Sequence, residues 1–284
     1  MTANHDLNRN GLLIEQTYRV LLADTNSFRI LLVGVGGTGS ALALALAGLI
    51  YHARQKDILV ELTLVDHDVI QEVNVGRQSF SVGSALAGGV PKCVDLAARL
   101  NAAYGLNLVA WPERYTAVLG KRWFSGRAER QHQTHLLIDC VDNHRPRQEM
   151  AQTLNAYDGR MWLLSCGNER TNGQVLIGDT NHANKIRFDK LGLCTGLPSP
   201  YRQEPGLLEP DEGETVVSCA ALNQQEAQSL MINRLVAAVA AQFVTEMVLQ
   251  RQVTQLGAYF NLCPMVMRSQ MVTQEAVKAV IEQV

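Results

Sequence analysis

The chain has 284 residues, 47% of them hydrophobic and 18% charged, with a formal net charge of −2. That composition supports a full hydrophobic core and excludes an intrinsically disordered chain. It also speaks against a general binder of nucleic acid or of a membrane surface, either of which needs a basic field. The six cysteines, Cys93, Cys140, Cys166, Cys194, Cys219 and Cys263, include no CxxC pair. Neither a finger-type zinc site nor a disulfide framework is therefore expected. Residues 1–10 are polar and carry no signal-peptide pattern, so the expected setting is a cytoplasm with reduced thiols.

Residues 29–33, Arg-Ile-Leu-Leu-Val, form an apolar run ending in glycine and predict a buried parallel strand. A glycine turn over 34–40 leads into an Ala- and Leu-rich helix over 40–51. The charge-free stretch 30–53 is long enough to span a bilayer. Its glycines cluster at one point, and strand, turn and buried helix explain it better. A second strand at 61–65 ends at Asp66, a helix at 91–103 starts with Pro91 in its first turn, and strands follow at 106–111 and 135–139. A helix at 145–157 precedes strands at 161–166 and 173–178. This alternation predicts an α/β fold with a Rossmann-like, mostly parallel sheet, helices on both faces and the strand C-terminal ends on one edge. Residues 179–215 read as a Pro- and Gly-rich loop, and a loop that long is usually functional. A long helix is predicted over 220–250, with Ile232, Leu235, Val239, Phe243 and Met247 on one face, and strand-like patches over 258–272. The expected division is an N-terminal helical extension (1–25), a Rossmann-like core (26–178), a crossover loop (179–218), and a long helix with strands (219–284) that completes the same domain.

Gly34, Gly36, Gly37, Thr38 and Gly39 lie between a strand and a helix, where backbone amides can approach a phosphate at the helix N-terminus. NAD, FAD and ATP sites all use such a turn, and close helix–strand packing alone would also call for glycines. Asp66 at a strand end can accept ribose hydroxyls, which again fits NAD or ATP; a solvated aspartate is the plain alternative. Asn74, Arg77 and Gln78, then Lys92, then Asp142 and Asn143 at the end of the fourth strand break the tie. A dehydrogenase has no need of an arginine, a lysine and an aspartate on one sheet edge, whereas a reaction at a nucleoside triphosphate does. Arg77 and Lys92 can hold phosphate oxygens and offset charge at the α-phosphate. Asp142 can bind Mg²⁺, with the metal bridging phosphates.

In order, Gly34-x-Gly-Gly-x-Gly-Ser40, Asp66-x-Asp68, Asn74-x-x-Arg77-Gln78, Pro91-Lys92 and Asp139-Cys-x-Asp142-Asn143 resemble the pattern of the ThiF/MoeB/ubiquitin-activating superfamily over about residues 26–178. Within it the chain looks most like the ThiF-type proteins of the PRTRC system. The resemblance implies ATP-dependent adenylation of the C-terminal glycine carboxylate of a small ubiquitin-like or sulfur-carrier protein. It puts Asp66 on the ribose, Asn74, Arg77 and Lys92 on the phosphates and Asp142 on Mg²⁺, with Asp68, Gln78 and Asn143 completing the nucleotide-binding set. A homodimer is implied, and a conjugating-type protein as a further partner. Relatives often donate an arginine across the dimer. Arg9 and Arg19 are the candidates, but their neighbours depart from the usual Arg-Gln-hydrophobic pattern, and a solvated arginine is the plainer reading of either.

Zinc-bearing relatives use two CxxC pairs, which this chain lacks, so no structural zinc is expected. Cys219 resembles the thioester-forming cysteine of the crossover loop, and a helix start favours its thiolate. The competing reading is a buried cysteine opening a core helix. Cys194 is the second candidate nucleophile. Cys140 and Cys166 are expected in the core, and Cys93 in helix packing. Three other functions compete: adenylation of a non-protein carboxylate, on a modified tRNA base or a short peptide, without thioester; an NAD(P)-dependent oxidoreductase; and a nucleotide-binding scaffold.

Overall fold

The structure, a computed structural model, describes residues 16–22, 26–125, 133–210 and 231–282. Residues 16–22 belong to the segment expected to be helical, yet they run extended. There β1 (Val20–Leu21) pairs with residues 252–253, far along the chain. The first apolar run becomes β2 (Ser27–Val33), the glycine turn leads into α1 (Gly37–Arg54), and β3 (Leu59–Val65) returns parallel to β2. A short exposed helix that the sequence pattern did not announce, α2 (Val82–Ala87), is capped by Ser81, whose hydroxyl accepts from the Ser84 amide. Pro91 stands at the N-cap of α3 (Lys92–Tyr104), and Gly105 ends that helix in the left-handed conformation. Next come β4 (Val109–Trp111), the unforeseen α4 (Ala117–Ser125), β5 (Gln133–Asp139), α5 (His144–Ala156), β6 (Trp162–Asn168) and β7 (Asn172–Gly178).

The expected loop after β7 contains α6 (Pro200–Gln203) and single 3-10 turns at Ala183–Lys185 and Pro205–Leu208. The long helix is described from α7 (Ile232–Thr245) and continues through a π turn over Glu246–Gln250. Its predicted start lies outside the described residues. Then follow β8 (Gln252–Val253), the hairpin of β9 (Gln255–Leu262) and β10 (Met265–Met271), and a further unforeseen helix, α8 (Gln274–Glu282).

The main sheet has eight strands in the order β10-β9-β7-β6-β5-β2-β3-β4. From β4 to β6 all neighbours are parallel, whereas β7, β9 and β10 join antiparallel. Val33 of β2 pairs with Val65 of β3 and with Asp139 of β5, so three strand ends lie level on one edge. Strand order reverses between β2 and β5, and a ligand crevice is expected at such a switch point.

Side chains alternate across the sheet. Ile30 and Leu32 of β2 face a core layer with Leu42 and Leu46 of α1, Leu96 of α3 and Val236 of α7, while Leu31 and Val33 face Trp123 of α4 and Met150 of α5. Each fully buried leucine contributes roughly 1.5–3 kcal/mol. The segment Ile232–Gln250 spans 19 residues at mean hydropathy 1.4 and passes by length and composition for a membrane span. Half of it is buried, and its contacts with α1, β6 and β7 identify it as a core helix.

Asp179, just past β7, is buried and accepts the Leu197 amide at 2.7 Å. Burial pushes its carboxyl up to about 7, and the charge of Asp158 pushes the same way. An unfolded aspartate loses its proton near pH 3.9, so the native state binds the extra proton between that pH and about 7. The contribution of Asp179 to stability therefore falls as pH rises through this window and stays low above it. Asp179→Asn, which keeps the acceptor oxygen, is expected to melt above the wild type at pH 8, and the difference should close towards pH 4. Thermal melts across that range check this; a difference independent of pH would refute it.

Candidate functional site

The glycine turn closes against the neighbouring strand end. Gly34 has φ +87°, and a Cβ there would stand 2.5 Å from the Cys140 carbonyl oxygen. A Cβ on Gly39 would overlap the Gly34 carbonyl oxygen, and one on Gly37 would stand 2.5 Å from Asn233 Nδ2. Backbone packing alone thus demands Gly34 and Gly39, whereas at Gly37 only the Asn233 side chain would have to move. Gly36 differs: nothing lies within 4 Å of its virtual Cβ, and the residue lines the cavity. Gly39 is not among the cavity-lining residues.

Asp66 holds this turn from β3. Its Oδ2 accepts the Val35 amide at 2.6 Å, and its Oδ1 accepts the Asp68 amide at 2.8 Å. Burial raises its pKa, and the two amide hydrogen bonds act against that rise. The residue expected to receive a ribose is thus engaged in shaping the turn as well, with its carboxylate fixed before any ligand arrives. Thr38 donates its hydroxyl to Asn233 Oδ1 at 2.9 Å, and Asn168 Nδ2 donates to the same oxygen at 2.9 Å. Asn233 therefore joins the start of α7 to the glycine turn and to the end of β6.

Lys92 is buried at the start of α3, and its Nζ lies 2.9 Å from Asp68 Oδ2. The half-exposed Asp68 orients this cation without removing it from the cavity. Arg77 lines the same cavity and has no hydrogen-bond or ion-pair partner among the described residues. Asn74 is buried, and its Oδ1 accepts the Gln71 amide at 2.8 Å. Gln78 Oε1 is buried without a partner among the described residues, an acceptor that a ligand or water would satisfy.

Across the switch point, Asp142 is exposed at the cavity, and Asn143 Nδ2 donates to its Oδ1 at 3.1 Å. One exposed carboxylate beside a glycine turn at a helix N-terminus fits Mg²⁺, which commonly takes one or two carboxylates and fills its shell with phosphates and water. Asp66, His67 and Asp68 also place ligand atoms within 4.8 Å of one another. Their carboxylates are committed to backbone amides and to Lys92, which makes them a poor cation cage.

A single cavity of about 1060 Å³ brings together Gly34, Gly36, Gly37, Thr38, Asp66, Asp68, Asn74, Arg77, Gln78, Lys92, Asp142 and Asn143. Its further wall, which the sequence pattern did not reveal, carries Arg147, Asn168, Arg170 and Asn233 together with Tyr259 and Arg268 of the β9–β10 hairpin. Arg147 and Asn233 sit within helices and Tyr259 and Arg268 within antiparallel strands, where no strand-end signal marks them, while Asn168 ends β6 and Arg170 follows in the turn to β7. Cys166 is buried in the core as expected, Cys140 packs against that core partly buried, and both also line the cavity. Cys93 is buried as expected and donates its thiol to the Asp66 carbonyl.

Cys219 and Arg9 lie outside the described residues. Cys194, the second candidate nucleophile, is buried away from the cavity. Its thiol donates to the Gly196 carbonyl at 3.0 Å, and burial raises its pKa, which disfavours the reactive thiolate. Arg19 is exposed beside β8, 3.5 Å from Gln252 Oε1, and does not line the cavity.

The ThiF family profile matches residues 10–279. The chain belongs to the ThiF family. Solved structures similar to this ThiF-family protein include E. coli MccB with succinimide, at 14% identity and TM-score 0.56, covering 87% of this chain and 64% of that one. E. coli MccB with ATP gives 14% identity and TM-score 0.54 at the same coverage. E. coli MccB with MccA-N7isoASN gives 13% identity and TM-score 0.54, covering 87% of this chain and 65% of that one. At such identities the likeness establishes the fold, and the chain spans 64% of the length of the first of these structures. No curated protein matches the chain in sequence.

Proposed function

We propose that this ThiF-family protein adenylates a carboxylate with ATP, and that its substrate is the C-terminal glycine of a small ubiquitin-like protein. The observation that carries the reading is the gathering of the open Gly36, Arg77, Lys92 and Asp142 around one cavity at the switch point. Family membership supports it, as does likeness in fold to MccB, which has been solved with ATP. The proposal extends to the PRTRC-type subgroup, a homodimer and a cytoplasmic setting.

The first-turn amides of α1 have no intrahelical acceptors and receive phosphate oxygens beside Gly36. Arg77 and Lys92 offset the repulsion between the incoming carboxylate and the triphosphate. The carboxylate oxygen attacks the α-phosphorus, the bond to pyrophosphate breaks, and an acyl adenylate remains. Asp142 would hold Mg²⁺, which when bound would supply charge neutralisation on the phosphates. The Cys219 thiolate then attacks the acyl carbon and displaces AMP, leaving a thioester.

Incubation with MgATP and a glycine-ended ubiquitin-like protein, followed by non-reducing intact-mass analysis, tests this. The expected products are an adenylated partner and a covalent adduct that Cys219→Ala abolishes while adenylate still forms. Likeness to MccB, solved with MccA-N7isoASN, supports a second reading in which a peptide is the substrate. Adenylate on a short peptide alone, with no thioester, would select that reading.

A further inference from the structure

We propose that Asp139, Arg147 and Tyr201 are positioning residues that set the Asp142 carboxylate for a divalent cation, linking the segment after β7 to the turn that would hold the metal. The inference rests on the adenylation reading above. Asp139 ends β5 with no exposed surface. Its Oδ2 is 3.2 Å from Arg147 Nε and accepts the hydroxyls of Ser165, at 2.8 Å, and Tyr201, at 3.2 Å. A charge this deeply buried persists only when paired and hydrogen-bonded.

Its effect falls on Val141, the residue before Asp142. Asp139 Oδ1 accepts the Val141 amide at 3.1 Å, and Arg147 Nη2 donates to the Val141 carbonyl at 2.9 Å. Both ends of that residue are thus clamped by one ion pair, and Asp142 leaves the clamp in a fixed direction at the cavity. Tyr201 comes from α6, so its hydroxyl connects this turn to a different part of the chain. Removing an outer partner of a metal ligand typically weakens metal affinity 10–100-fold.

The test uses Mn²⁺ as the probe, with free ion counted by paramagnetic resonance in the presence of a non-hydrolysable ATP analogue. Wild-type protein is expected to show analogue-dependent Mn²⁺ binding. Asp139→Asn is expected to weaken it roughly 10–100-fold, and Tyr201→Phe roughly 10-fold, with nucleotide affinity in metal-free buffer unchanged. Thr153→Val, on the same helix as Arg147, removes the hydroxyl bonded to Tyr115. It is expected to lower the melting temperature and leave the Mn²⁺ titration alone. If Asp139→Asn does not fold, Tyr201→Phe decides. A wild-type Mn²⁺ titration in Tyr201→Phe, or an equal loss of nucleotide binding without metal, overturns the positioning role. A wild type with no analogue-dependent Mn²⁺ site would instead overturn the adenylation reading, and this inference with it.

Discussion

Lys92→Ala is expected to lower ATP–pyrophosphate exchange by about 10²–10³-fold while the protein remains folded, because a preorganised cation facing developing charge is worth that much in a water-poor site. Lys92 is well suited to this role. Its side chain is buried, it opens α3, and its ammonium is held 2.9 Å from Asp68 at the cavity. The loss should fall on reaction more than on stability. Asp68 is half exposed and can be solvated once its partner is gone, so removing the ammonium leaves no uncompensated buried charge. Lys92→Arg should recover little, since a planar guanidinium cannot replace a compact ammonium in a buried position. Exchange assays beside thermal melts separate the two effects. Wild-type exchange in Lys92→Ala would remove the residue from the phosphate site.

Gly39→Ala and Gly36→Ala are expected to fail in opposite ways. A methyl on Gly39 overlaps the Gly34 carbonyl, so backbone must move at the point where β2, α1 and the Cys140 turn meet. The expected cost is about 3 kcal/mol of stability or more, measured by denaturant unfolding. Gly36 has open space at its virtual Cβ and a negative φ of −80°. Gly36→Ala should unfold close to the wild type and yet bind MgATP at least about 10-fold more weakly, a loss of about 1.4 kcal/mol, because its methyl stands where a phosphate would approach the backbone. Nucleotide titration measures this. Undiminished binding in Gly36→Ala would mean that the turn serves packing alone.

The strand and helix alternation up to β7 was legible because buried parallel strands are short apolar runs that glycine or an acidic residue terminates. The chemistry-bearing residues at strand ends were legible for the same reason, since topology alone puts Gly34, Asp66 and Asp142 on one edge. Short amphipathic helices were not. α4 buries chiefly Ala117, Leu119, Gly120 and Trp123, and α8 buries Val277 and Val280, too few apolar repeats to stand out from a loop. The role of Asp66 as a clamp on Val35 is a long-range contact that no local pattern encodes. Asn233 was hidden in a helix whose apolar stripe suggested only packing, and Arg147 in a polar helix with no mark of the buried Asp139 beneath it.

The most direct measurement is the return of labelled pyrophosphate into ATP, with the full chain, Mg²⁺ and a glycine-ended ubiquitin-like protein. Label should enter ATP only when the partner carries a free terminal carboxylate, and should vanish when that carboxylate is amidated. No exchange with the ubiquitin-like protein or with a free-acid peptide, together with thermal protection by NAD and none by MgATP, would contradict carboxylate adenylation.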